Sequence, residues 1–306
     1  MTVPPGTTPG PDGAPPPQLP TCARHPDRPT GLRCTRCERP ACPECLRDAS
    51  VGQQCVDCVR EAGATVRRPV TVAGARLRDK PILVPLLIAV NVAGYVLTAV
   101  QAGNFGANFR SALFVDYSLI PFTVAGGQWW RLVTSGFLHI GVVHLVMNML
   151  ALWVIGRDLE LLLGRGRFAA VYGLSLIGGS TAVFLLGGAE VPVAGASGAV
   201  YGLMGGIAVA ALRLKVSLRP VITVIALNIV ASVLIPGISL LGHIGGLILG
   251  AASTAALVYA PRERRTLVQA GALVGLLVVL VVVLFVRDAS YGDLSCTGSG
   301  YELACG

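Results

Sequence analysis

Charge is what this 306-residue sequence has least of. Only 13% of its residues are Asp, Glu, Lys or Arg, while 53% are hydrophobic and the mean hydropathy is +0.69. Soluble domains carry about a quarter charged residues, so a water-soluble globular protein is excluded and the chain is expected to be membrane-embedded. Acidic residues are the scarcer sign, 16 against 24 Lys and Arg. The resulting +8 does not mark a nucleic-acid binder, because the bases fall in short clusters between apolar runs and no aromatic-rich basic face accompanies them. A secretory signal is missing too, since no basic stretch followed by an apolar core opens the chain. Residues 1–21 are instead a Pro-rich, disordered leader by composition, and the first apolar run is expected to be a true membrane anchor.

Crossing the hydrocarbon core takes about 20 apolar residues at 1.5 Å per residue. Seven runs qualify or nearly do: Ile82 to Val100, Leu132 to Ile155, Phe168 to Leu186, Ser197 to Leu212, Val221 to Ile235, Ser239 to Tyr259 and Leu267 to Val286. They are expected to be helices, because backbone groups in lipid must bond within their own segment. Basic residues alternate between the loops. Arg67, Arg68, Arg76, Arg78 and Lys80 precede the first run, Arg157, Arg165 and Arg167 follow the second, Arg213, Lys215 and Arg219 the fourth, and Arg262, Arg264 and Arg265 the sixth. The loops around Glu190 and Gly237 have none. This bias predicts a cytoplasmic N-terminus and an external C-terminus. The fourth and fifth runs are short, roughly 24 Å of helix against a core of about 30 Å, which predicts a water-filled recess open to the outside.

All nine cysteines and four histidines find a place. Cys22-x2-His25, Cys34-x2-Cys37, Cys42-x2-Cys45 and Cys55-x2-Cys58 form four knuckle pairs. A two-residue gap lets both side chains of a pair reach one tetrahedral ion, and two pairs complete a site, so two structural Zn2+ are expected in a module over residues 22–62. So small a segment cannot build a core, and metal binding would supply its folding free energy. The competing disulfide explanation is disfavoured by the reducing cytoplasm. A cytoplasmic protein partner suits the module better than nucleic acid. Residues 63–80 are expected to be a basic linker. Cys296 and Cys305 fall in the external tail, 288–306, where a disulfide is permitted.

His139, His144 and His243 lie in apolar runs, where ionisable groups are costly and default to functional candidates. Ser197, in Gly195-Ala196-Ser197-Gly198, and His243, in Gly242-His243-Ile244-Gly245-Gly246, both enter from the predicted outer side. Glycines flanking each allow their helices to approach closely. A serine hydroxyl needs a neighbouring base, and imidazole suits that role near pH 7. Neither run contains Asp or Glu to orient that base, which makes this a dyad; Tyr201, one helical turn beyond Ser197, could pack against the imidazole and hold it. His144 and Asn148, an i,i+4 pair, carry N–H donors for a developing oxyanion. Taken singly, Ser197 could be packing material and His144 or Asn148 interhelical hydrogen-bonding glue.

Trp130-Arg131, His139, His144-x3-Asn148, Glu160 followed by Gly164, Gly195-x-Ser197-Gly198, Tyr201 and Gly242-His243-x-Gly245-Gly246 together resemble the motifs of the rhomboid proteases, in order and in the expected runs. The resemblance covers residues 81–260, a six-helix core; residues 261–287 would be an added seventh helix. It implies an all-α polytopic membrane protein with Ser197 and His243 as catalytic dyad. His144, Asn148 and the backbone N–H of Ser197 would form the oxyanion site, with His139 supporting the first loop and Glu160 and Arg131 structural. The implied function is a serine endopeptidase of the bacterial plasma membrane that cuts membrane-spanning helices near the outer face. The N-terminal module resembles the B-box zinc fingers, except that its last pair is Cys-Cys and its spacer is longer. A cross-braced pairing would put Cys22, His25, Cys42 and Cys45 on one ion and Cys34, Cys37, Cys55 and Cys58 on the other. The alternatives are an inactive rhomboid-like binder of membrane helices and a transporter. The joint presence of Ser197, His243, His144 and Asn148 argues against the first; the lack of an internal repeat of broken helices argues against the second.

Overall fold

The structure, a computed structural model, describes residues 18–65, 69–235, 237–290, 296–297 and 304–305. It separates into two compact units, Met1–Arg68 and Pro69–Gly306.

The first unit has almost no regular structure. Thr21–Cys22 pairs with His25–Pro29, Leu46–Asp48 pairs with Gln53–Cys55, and the helix Val56–Thr65 follows. Its interior is mostly sulfur: among the described residues Cys22, Cys34, Cys42, Cys45, Cys55 and Cys58 are buried with Thr30, Ala41 and Leu46 beside them. Carbon alone supplies too little buried area to fold such a segment.

The second unit is a bundle of seven apolar helices: α1 (Leu83–Ala102), α2 (Gly141–Leu163), α3 (Arg165–Leu186), α4 (Ser197–Leu214), α5 (Arg219–Leu234), α6 (Leu240–Val258) and α7 (Arg265–Ala289). Six are long and apolar enough to cross a membrane, and α5, with 16 residues, is shorter. The chain is an integral membrane protein of the all-α polytopic class. Helices α3 and α4 are central, with 56% of their apolar stretches buried, whereas α7, at 17%, lies against the outside of the bundle. Leu152, Leu159, Leu163, Phe168, Leu203 and Leu257, all fully buried, form the main core between α2, α3, α4 and α6.

Three helix boundaries near the site depart from the apolar runs. The second run was expected to be a helix from Leu132. Residues Arg131–Thr134 and Ser135–Phe137 instead form a short helix and a tight turn, the chain then breaks, and α2 starts at Gly141 with φ +74°. Asn108, from the loop after α1, holds the break open. Its Nδ2 donates to the His139 carbonyl (2.7 Å) and its Oδ1 accepts from the Gly141 N–H (3.0 Å). His139 therefore sits in this turn and not in the helix where it was expected. At its other end α2 continues past Ile155 through Arg157 and Glu160 to Gly164. The Glu160 carboxylate is buried because it accepts the free N–H groups of Ile82, Leu83 and Val84 at 2.7, 3.0 and 2.9 Å, capping α1 from another helix. A carboxylate there satisfies orphan donors and complements the positive helix end. The fourth helix also exceeds its expected end, reaching Leu214 before Lys215 terminates it with φ +58°.

Residues 69–80, expected to be linker, belong to the membrane unit: Ala73 is fully buried and its carbonyl accepts from Gln269 Nε2 on α7 at 3.0 Å. The loop between α1 and α2 is tied down by Arg131, whose Nη1 donates to the carbonyls of Val115 (2.6 Å) and Ser118 (2.7 Å). A two-way backbone bridge joins Leu119 to Val193, just before Ser197.

Candidate active site

Ser197 is the first residue of α4, and His243 lies one turn into α6. These helices touch backbone to backbone. A Cβ on Gly246 would be driven into the Gly198 carbonyl, and one on Gly250 into the Gly202 backbone. At that separation the His243 Nε2 stands 2.8 Å from Ser197 Oγ across 46 residues of sequence. The Tyr201 ring stacks on the imidazole, with centroids 4.0 Å apart and an interplanar angle of 12°. Tyr201 thus covers one face of the ring.

His144 and Asn148 share one face of α2. The His144 Nδ1 accepts from the Ile140 N–H (3.3 Å), which leaves its proton on Nε2, and Asn148 Nδ2 donates one of its two hydrogens to the His144 carbonyl (3.0 Å). Gly195 lies between His144 and Ser197 with φ +135°. A Cβ there would fall 2.9 Å from His144 Nε2 and 3.7 Å from Ser197 Oγ, so only glycine lets the imidazole so close to the serine. The His139 ring packs edge-on against His144 at 5.2 Å, and its Nε2 accepts from the Ala196 N–H at 3.5 Å. Because α4 begins at Ser197, the first N–H groups of the helix have no intrahelical carbonyl to bond. A cavity of about 30 Å³ opens beside Ser197 and is lined by Gly195, Gly198, Ser135, Ser180 and Ser239. That is room for about one or two waters, or a side chain of one or two carbons.

Ser232, on α5, is a site residue that sequence reasoning missed. Its Oγ lies 2.7 Å from His243 Nδ1 and 3.0 Å from the Tyr201 hydroxyl. One signal was available: Asn228 and Ser232 form an i,i+4 polar pair in an otherwise apolar run, the same pattern that singled out His144 and Asn148.

In the N-terminal unit the eight ligand-type residues gather into two groups, Cys22, His25, Cys42, Cys45 and Cys34, Cys37, Cys55, Cys58, with the candidate ligand atoms of each group within 4.8 Å of one another. This is the cross-braced pairing. Tetrahedral Zn2+ would separate sulfur from sulfur by about 3.8 Å and sulfur from nitrogen by about 3.5 Å. Cys37 and Cys55 Sγ stand 3.8 Å apart, and His25 Nδ1 lies 3.4, 3.4 and 3.9 Å from the Sγ atoms of Cys42, Cys45 and Cys22. Backbone N–H groups, that of Cys42 foremost, bring the Cys22 thiol down to about 6 against the effect of burial. Burial pushes Cys34 up, but the N–H groups of Cys55, Cys37 and Arg36 outweigh it and hold that thiol at about 6. Burial first, then the sulfurs of Cys42 and Cys22, raise Cys45 to about 11; the Cys37 sulfur first, then burial, raises Cys58 to about 12. Thiols so crowded do not all ionise without a cation among them. The donor set and its spacing fit Zn2+. In the tail, Cys296 stands opposite Cys305 in the backbone register of a two-residue strand pair.

Residues 126–260 match the family model described as Rhomboid domain. The chain is 36% identical over 192 residues to Rhomboid protease GluP of Bacillus subtilis, covering 61% of this chain and 37% of that protein. It is 32% identical over 203 residues to RHOMBOID-like protein 4 of Arabidopsis thaliana, covering 56% and 51%, and 32% identical over 113 residues to Rhomboid-related protein 3 of Homo sapiens, covering 37% and 28%. The chain thus spans about half or less of the length of these relatives.

Proposed function

We propose, from the match of residues 126–260 to the Rhomboid domain model, that this protein is an intramembrane serine endopeptidase with Ser197 as nucleophile and His243 as general base. The observation that carries it is the 2.8 Å contact between Ser197 Oγ and His243 Nε2 at the foot of a free helix N-terminus. In the forward step Nε2 takes the hydroxyl proton as Oγ bonds to the scissile carbonyl carbon. The negative oxygen is received by the Ser197 N–H, His144 Nε2–H and the second Asn148 hydrogen, donors fixed in place before reaction. His243 then gives its proton to the departing amine, which leaves an acyl ester on Ser197. A water entering the recess loses a proton to Nε2, attacks the ester and restores the serine. The cavity of about 30 Å³ supports a small side chain at the cleaved residue.

The substrates on this reading are membrane-spanning protein segments, and the name of Rhomboid protease GluP accords with the protease activity. The loop charges support a cytoplasmic N-terminus and an external C-terminus, and the Bacillus relative accords with a bacterial plasma membrane. Each Cys/His group would hold one structural Zn2+, which supplies cross-linking and no step of the chemistry; a protein partner for this module is the corresponding proposal. Cys296 and Cys305 would form a disulfide, since residues opposite in an antiparallel pair have Cα atoms about 4.5–5.5 Å apart, within disulfide range.

The test is cleavage of a single-span reporter substrate by protein reconstituted in liposomes. Wild type should give one cut near the membrane face and Ser197→Ala none; cleavage by both would remove Ser197 from its role.

A further inference from the structure

We infer that Ser232 is a positioning residue for His243, taking in this site the place that a carboxylate holds in a catalytic triad. The inference rests on the serine-protease function proposed above. Helix α5 buries one side chain in its 16 residues, and that side chain is Ser232. Ile222, Leu227, Val230, Val233 and Leu234 are exposed, as lipid-facing residues of a membrane helix are. The one fully buried side chain of α5 thus meets the imidazole, while Ile225, partly buried, packs against the core.

Counting hydrogens settles which way the contact runs. A serine hydroxyl has one hydrogen to give and two lone pairs to receive. Ser232 Oγ lies 2.7 Å from the Asn228 carbonyl, which has no hydrogen, so Ser232 donates there. Its two remaining neighbours must then both donate: the Tyr201 hydroxyl at 3.0 Å and His243 Nδ1 at 2.7 Å. A neutral imidazole with its proton on Nδ1 presents an unprotonated Nε2, and Nε2 is the atom 2.8 Å from Ser197 Oγ. Ser232 therefore selects the tautomer that can accept the serine proton. When Nε2 gains that proton, Nδ1–H keeps its acceptor, so the imidazolium is not left with an unmatched donor. The opposite tautomer would require Ser232 to turn its hydrogen toward Nδ1 and give up the Asn228 carbonyl. Among the described residues, the hydrogen bonds of the His243 ring go to Ser197 and Ser232 and to no carboxylate.

A serine that bonds the carbonyl four residues back is ordinary in membrane helices, and in that role the rest of the site would be indifferent to it. Thr and Val separate the two cases, because they share shape and branching and differ by hydroxyl against methyl. In proteoliposomes Ser232→Thr should keep kcat within a few-fold of wild type. Ser232→Val should lower kcat by about ten- to a hundredfold, the worth of one hydrogen bond to a charged group, with KM little changed. Equal kcat for Thr and Val overturns the inference. Should Val fail to fold, as read by thermal melting in detergent, 15N spectra of histidine-labelled wild type decide alone: a protonated Nδ1 and bare Nε2 on His243 are expected, and a protonated Nε2 overturns it. Wild type that cleaves, with Ser197→Ala inactive and Ser232→Val unaffected, removes Ser232 only. An inactive wild type removes the protease function and this inference together.

Discussion

The two units assemble functional side chains by opposite means. In Met1–Arg68 the ligand pairs are local, each separated by two residues, and the groups they form contain most of the unit's interior. In Pro69–Gly306 the functional residues are dispersed: Ser197 meets His243 across 46 positions, and Ser232 reaches back 31 to Tyr201. There a hydrocarbon-compatible bundle exists first, and glycines at the α4–α6 contact let the reactive groups come within bonding distance. On the proposed reading, the first unit would need its metal to have a fold, and the second its fold to have a site.

That contrast can be broken at several points, in falling order of expected effect. Removing either reacting group by Ser197→Ala or His243→Ala should cut turnover of a reconstituted reporter by at least about 10³-fold, with the bundle's melting temperature unchanged. A surviving rate would show that the geometry is packing alone. Widening the helix contact should cost folding as well as activity. Gly246→Val puts a branched side chain into the Gly198 carbonyl, and loss of the folded species in size-exclusion chromatography is expected, whereas Gly271→Val, where a Cβ meets nothing, should be silent.

Chelation should divide the protein in two. Two Zn2+ per chain are expected by elemental analysis, and stripping them should render residues 22–62 protease-sensitive, because apo structural sites of this size do not stay folded. Core proteolysis in detergent should stay within about twofold, as it should after deletion of residues 1–62. Complete loss of activity in either experiment would make the module part of the folded enzyme. The smallest effect is expected at the α1 cap. Glu160→Gln keeps the shape but removes the charge that accepts three N–H groups, and should lower stability by about 1–2 kcal/mol in a reversible unfolding titration.

What the sequence made legible follows the same division. The Cys and His pairs could be read because coordination geometry is written in short spacings, and the apolar runs because lipid imposes length and composition. Ser197, His243, His144 and Asn148 were legible as polar residues in places where lipid makes polarity costly. Illegible were the features made by long-range hydrogen bonds. Asn108 breaks the second run at His139 from 31 residues away; Glu160 lets a charged segment stay inside α2 by capping α1; and Ser232 gains meaning only once α5 is laid beside α6. Asn108 and Glu160 leave no periodicity, because their partners lie on other elements, and Ser232 leaves only its i,i+4 spacing from Asn228.

The central claim is that Ser197 is a nucleophile activated by the imidazole beside it, and it is met most directly by active-site titration of the purified, detergent-solubilised protein with a fluorescent fluorophosphonate. Wild type should label on a single serine, Ser197 by peptide mapping, with Ser197→Ala unlabelled and His243→Ala labelled far more slowly. Equal labelling of wild type and Ser197→Ala, or no labelling of folded wild type, would contradict it.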